Sequence, residues 1–163
     1  MVRSQPEEVN NILYRRVPII EALCLRRNPF FVYMLSGSNT FRKQERLCSS
    51  TLIDSLFSEG NRQISVFPVR LVWLLTDNID GVQILISVPK RNFHHAVDRN
   101  RIKRQIREFY RTGSSTLKET VALKGKGLAL AFLFNDKKLW ESDKLDQRLL
   151  QAMEKLVETL SQS

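Results

Sequence analysis

The sequence contains little that could brace a fold covalently or through metal. Cys24 and Cys48 stand far apart with no CxxC around either, so neither a disulfide scaffold nor a zinc site is supported, and a reducing, cytoplasmic setting is expected. The two histidines, His94 and His95, are adjacent and lack a Cys, Asp or Glu at ligand spacing, which argues against a metal site there. Long hydrophobic runs are missing as well. The most apolar N-terminal stretch, residues 17–35, is interrupted by Glu21, Arg26, Arg27, Asn28 and Pro29, which excludes a spanning helix or a signal h-region and points to a soluble, non-exported chain with no membrane partner. Carboxylates are not gathered where chemistry would need them. Asp77, Asp80, Asp136 and Asp143 fall in expected turns and helix starts, and no acidic group of the kind a two-metal nuclease requires is legible. No catalytic residue and no protein-held metal are therefore assigned.

Positive charge is plentiful. Lys and Arg number 26 against 17 Asp and Glu, a formal net charge of +9 over 163 residues, and the pI is near 9.9. Residues 90–111, KRNFHHAVDRNRIKRQIREFYR, hold Lys90, Arg91, Arg99, Arg101, Lys103, Arg104, Arg107 and Arg111 against Asp98 and Glu108. Eight minus two is +6, most of the total. Such density suits a polyanion, because each fixed cation releases condensed counterions.

The length fits one domain, and 42% hydrophobic residues suffice for a core. Residues 1–38 mix Pro6, Pro18 and Pro29 with scattered charges and do not share the later pattern. They are expected to be an extension outside a domain at residues 39–163, poorly ordered or an over-long start with Met34 as the working initiator.

In STLIDSLFSEG, Leu52, Ile53, Leu56 and Phe57 recur at helical spacing, with Ser49 or Ser50 as N-cap and Gly60 just past the end. A short edge strand is expected at residues 62–66. FPVRLVWLLT and VQILISV, joined by DNIDG, predict a hairpin. A helix from about Ala96 or Asp98 to Arg111 then puts Ile102, Ile106 and Phe109 on one stripe, and Asn100, Lys103, Arg104, Arg107 and Arg111 on the opposite arc. A loop around residues 112–115 and the turn KGKG follow. The continuously apolar LALAFLF predicts a central strand covered on both faces. Leu145, Leu149, Ala152, Met153, Leu156 and Leu160 predict a last helix beginning near Ser142. The expected architecture is α+β: about four strands in a small mixed sheet with three helices, in the order α-β-β-β-α-β-α.

The stretch AVDRNRIKRQIR, preceded by SVPKR, closely resembles the signature of the protein subunit of bacterial ribonuclease P. FRKQERL, the helix ending LFSEG, the strands and the terminal helix extend the resemblance over roughly residues 39–160. The resemblance implies a noncatalytic partner of a catalytic RNA that removes the 5′ leader of precursor tRNA, with Mg²⁺ held mainly by the RNA and no obligate protein partner. It also implies a fold like the second domain of ribosomal protein S5, with a left-handed strand-helix-strand crossover. The matched RNA-binding positions are Lys90, Arg91, Arg99, Asn100, Arg101, Lys103, Arg104, Arg107 and Arg46. A leader cleft between the first helix and the sheet would use Ile53, Phe57 and Trp73; Ile53 departs from the aromatic sometimes found at its position. Trp73 shares its strand face with Val69, Leu71 and Leu75, so a core tryptophan is the competing reading. A structural RNA-binding or ribosome-associated protein without an enzyme role is the alternative function. A DNA-binding regulator is disfavoured because the basic helix lacks a turn-helix partner.

Overall fold

The run LALAFLF decides the sheet. The computed structural model describes residues 41–58 and 62–162. In it β4 (Gly127–Phe134) lies between β2 (Val69–Thr76), to which it is antiparallel, and β3 (Val82–Ser87), to which it is parallel. With β1 (Arg62–Val66) at the edge of β2, the order is β1-β2-β4-β3. Seven of the eight β4 residues are buried, as expected of a strand covered on both faces.

This order corrects the expected hairpin. β2 and β3 are not neighbours; the tight hairpin is β1 with β2, closing Val66 on Val69 around Phe67 and Pro68. Residues 77–81 instead bridge two interstrand spacings, roughly 10 Å, over the start of β4. Leu128 donates its N–H to the Gly81 carbonyl at 2.8 Å, and Gly127 sits so close to Ile79 that a Cβ would lie 2.0 Å from its carbonyl oxygen. Only glycine fits beneath that link. At the other edge, Arg46 forms a parallel bridge with Ile84, and Leu47 N–H donates to the Ile84 carbonyl at 2.9 Å, so part of β3's outer edge is paired.

The described residues form four α-helices, one more than expected: α1 (Ser50–Phe57), α2 (Ala96–Gly113), α3 (Ser115–Leu123) and α4 (Ser142–Gln162). The expected loop at residues 112–115 is mostly helical, and α2 passes into α3 at the buried Ser114. α3 buries only Leu117 and Val121. One i,i+4 pair within STLKETVAL is too faint a periodicity to mark a helix; packing against α4 holds it. α2 and α3 supply the connection between the parallel β3 and β4.

Register assigns the sheet's two faces. Val69, Leu71, Trp73 and Leu75 lie opposite Phe134, Phe132, Leu130 and Leu128, and together with Val82 and Ile84 they pack on the apolar stripes of α2, α3 and α4. The alternate positions Val72, Ala129 and Ala131 form a smaller cluster with Leu47 and Leu56, against which Leu52, Ile53, Leu74, Leu85 and Leu133 lie half-buried. α1 covers this second face. Among the described residues no helix is long and apolar enough to cross a membrane. The expected extension, residues 1–38, and Gly60 lie outside the described residues.

Candidate nucleic-acid interface

The helix α2 exists because its two arcs differ. Ile102, Ile106, Phe109 and Tyr110 are buried, which anchors the helix and turns the polar arc outward. Asn100, Arg101 and Arg104 are exposed on that arc, and Lys103 and Arg107 are half-buried. Arg111 is different: its guanidinium donates to the Glu108 carboxylate, Nε to Oε2 at 2.9 Å. That hydrogen bond raises Arg111 and holds Glu108 below the usual carboxylate range. The last turn is thereby largely self-neutralised, and the unbalanced charge is concentrated in the first three turns.

Arg99 is also set apart. Its Nη1 donates to the Phe93 and His94 carbonyls, both at 2.8 Å, tying the loop after β3 to the first turn of α2. Its placement favours holding that loop over contacting phosphate directly. The loop carries the exposed Lys90 and Arg91 and is anchored by the buried Phe93, whose ring centroid lies 6.0 Å from that of Phe134.

Arg46 and Arg107, distant in sequence, converge. Both guanidiniums lie over the Phe41 ring, 5.6 and 5.9 Å from its centroid, a geometry worth about 0.5–1 kcal/mol at an exposed site. Phe41 in turn packs edge-on against Tyr110 at 5.9 Å, so a core aromatic indirectly fixes two surface cations. Burial pushes the Tyr110 phenol well above its ordinary range. Nearby, Lys118 pairs with Glu45, which caps this end of the positive surface. On the other flank of α2, Val97, Asn100, Arg101, Arg104, Gln105 and Ser142 line an open hollow of about 430 Å³, where Gln105 Nε2 donates to Ser142 Oγ at 2.9 Å.

Between α1 and the sheet lies the smaller apolar cluster, and its residues differ from the expected cleft set. Ile53 is half-buried there against the sheet, and Phe57, 47% exposed, ends the helix. Trp73 does not belong. It is 4% exposed and packs with the α4-side core, because the alternation of strand side chains puts it on the face opposite its neighbours Val72 and Leu74. The α1 side instead offers Leu74, Leu85 and Leu133, with the exposed Arg70 opposite Leu133 in the register. Sequence reasoning misses these, although the period-two alternation of VRLVWLLT already puts Arg70, Val72 and Leu74 on one face. It also misses Val97, 76% exposed beside Asn100 and Arg101, for which helical spacing to Arg101 and Arg104 is the available signal.

Among the described residues, no three His, Cys, Asp or Glu side chains come together as metal ligands.

A basic α+β domain presenting a cation-lined helix and, on the other face of its sheet, a thinly covered apolar surface is the class these features define. The particular family follows from comparison: the profile of the family described as Ribonuclease P matches residues 41–161, and the chain belongs to that family. The ribonuclease P protein component of Porphyromonas gingivalis is 34% identical over 93 residues, covering 56% of this chain and 67% of that protein. That of Chlorobium phaeobacteroides is 37% identical over 83 residues, 48% of this chain and 57% of its own. That of Petrotoga mobilis is 36% identical over 76 residues, 47% and 62% of the two.

Proposed function

We propose that this chain, as the protein subunit of ribonuclease P in tRNA 5′ maturation, grips RNA with the outer arc of α2 and guides the precursor's leader along the α1 groove. The observation that carries this reading is the set of cations Arg107, Lys103, Arg104 and Arg101 around the neutral Asn100 on the outer arc of α2, with Arg46 beside Arg107 over Phe41 and the exposed Lys90 and Arg91 in the loop before the helix. Arginine forks onto two phosphate oxygens or stacks on a base, which lysine cannot do. Backbone charge alone does not hold unpaired bases; an aromatic platform adds about 1–3 kcal/mol per stacked base. Phe57 is the aromatic on this side, Ile53, Leu74 and Leu133 would widen the apolar contact, and Arg70 would meet the threaded strand's phosphates.

Cleavage of a phosphodiester needs metal ions or a positioned acid and base. The α2 arc and the α1 side offer cations and apolar surface, so the RNA subunit supplies the ion sites and the bond breaking, while this chain orients precursor and screens repulsion between two polyanions. The setting is the cytoplasm, where precursor tRNA is made. Adding the chain to its catalytic RNA should tighten precursor binding and permit cleavage at a lower Mg²⁺ concentration. No stimulation of cleavage at limiting Mg²⁺ would defeat the reading.

A further inference from the structure

The β1–β2 turn and the segment leading into α4 meet at one end of the sheet. Asn135 N–H donates to the Pro68 carbonyl at 2.8 Å, and the rings of Phe67 and Trp140 pack edge to face with centroids 5.9 Å apart. Phe67 is 61% exposed and Leu139 43%, while Trp140 is half-buried with its inner side against the core. A core role accounts for Trp140's inner side. It does not account for Phe67, most of whose surface faces solvent.

The platform is held rigid by one carboxylate. Trp140 Nε1 donates to Asp136 Oδ2 at 2.7 Å, and the Lys137 and Lys138 backbone N–H groups donate to Oδ1 at 2.6 and 3.3 Å. Burial works against the charged carboxyl, but the indole and the two backbone N–H groups outweigh it and keep Asp136 below the usual range. An aromatic surface already ordered loses little conformational freedom when a ligand arrives. The exposed Lys137 and Lys138 lie in the segment just before Trp140, and the neighbouring Glu141 is paired with Lys144 at 2.8 Å. The platform adjoins the basic helix, since Ser142 accepts from Gln105 and borders the hollow lined by Arg101 and Arg104.

We infer that Phe67 and Trp140 form a second stacking platform, for one unpaired nucleotide of an RNA lying on α2, with Lys137 and Lys138 toward its phosphate. The inference rests on the reading of α2 as an RNA-binding face. It concerns a separate surface, on the side of the sheet opposite the α1 groove. Charge favours RNA over a protein partner here, because two exposed lysines precede Trp140 and Ser142, two residues after it, lines the hollow with Arg101 and Arg104. The nucleotide belongs either to the catalytic RNA or to the precursor, and binding assays with each RNA separately distinguish the two.

The test compares the full-length chain with Phe67→Ala, Phe67→Tyr and Arg104→Ala, measuring affinity for catalytic RNA alone and for precursor tRNA alone. Phe67→Ala should weaken binding to one of them by about fivefold or more, without changing the salt slope, and Phe67→Tyr should restore it. Because Trp73 and Trp140 are the chain's two tryptophans, a Trp73→Phe background leaves Trp140 as the sole indole, and its emission should be quenched by the same RNA. Loss of affinity at Arg104→Ala, with Phe67→Ala unchanged for both RNAs and Trp140 unquenched, overturns the platform and spares the α2 reading. No loss at Arg104→Ala either would bring down both. Should Phe67→Ala alter only the concentration-dependent sedimentation of the RNA-free protein, the surface is a self-association site and the RNA assignment is overturned.

Discussion

The two faces of the sheet are built from the same four strands and end up with opposite characters. On the α4 side, β4 contributes Leu128, Leu130, Phe132 and Phe134, all fully buried, beneath the 21-residue α4 with six buried apolar positions and beside α2 and α3. On the α1 side the same strand contributes Ala129, Ala131 and the half-buried Leu133, beneath an eight-residue helix with one buried residue. Large side chains and a long cover make a dry interior. Small side chains and a short cover leave Ile53, Leu74, Leu85 and Leu133 only half-buried. Alternation along one strand has therefore divided the work, with stability concentrated on one face and accessible apolar surface retained on the other.

The comparison predicts how substitutions at adjacent positions should diverge. Trp73→Ala should produce the largest effect, a loss of about 3–5 kcal/mol in folding stability by denaturant titration, as for a large buried aromatic. The folded fraction should lose affinity equally for leader-bearing precursor and mature tRNA. A selective loss for the precursor would return Trp73 to the groove and collapse the two-face distinction. Phe57→Ala comes next and should do the reverse. With 47% of its surface exposed, it should cost under about 1 kcal/mol of stability yet weaken leader-bearing precursor by about 1–3 kcal/mol. Equal binding losses for precursor and mature product would show that α1 does not border the leader.

A finer contrast lies within α2. Arg104→Ala should leave stability within about 0.5 kcal/mol and reduce the log-log salt dependence of RNA binding by about 0.7–0.9, the decrement for one phosphate left without its cation. Arg99→Ala should leave the slope unchanged and lower stability by about 1 kcal/mol or somewhat more, since two carbonyls of the 93–94 loop are deprived of a charged donor. If both substitutions shift the slope alike, Arg99 faces RNA after all.

Much of the fold is visible in the sequence because it is local. The stripe Ile102, Ile106, Phe109 and its opposed cations, the apolar β4 run, the edge strand at residues 62–66 and the α4 repeat are patterns that a single element imposes on its own residues. What escapes depends on elements that meet later. The polar link at residues 77–81 between two strand-like runs reads as a hairpin whether or not a strand more than forty residues on inserts between them; the close fit of Gly127 under Ile79 has no local signature. Trp73 can be assigned to a face only once it is known which face α1 covers. The convergence of Arg46 and Arg107 on Phe41 is likewise a product of packing. Charge places the candidate interface on α2, whereas the shape of the apolar surfaces needs the fold.

The smallest effect concerns the end of the sheet where the two faces meet the α4 segment. Asp136 has a folded-state carboxyl below its ordinary value, so whatever it contributes is fully present above the unfolded aspartate pKa, about 3.9, and is lost as pH falls through the lower folded value. In the Trp73→Phe background, Trp140 emission should therefore hold steady from neutral pH down to about pH 4 and change only below it. Asp136→Asn should abolish that acid step, because no proton can then release the indole N–H. A step centred near neutrality, or one that persists in Asp136→Asn, would mean that a different group orders the segment. It would also weaken the idea that this end of the molecule, unlike the loosely covered α1 groove, is preorganised by a single ionised side chain.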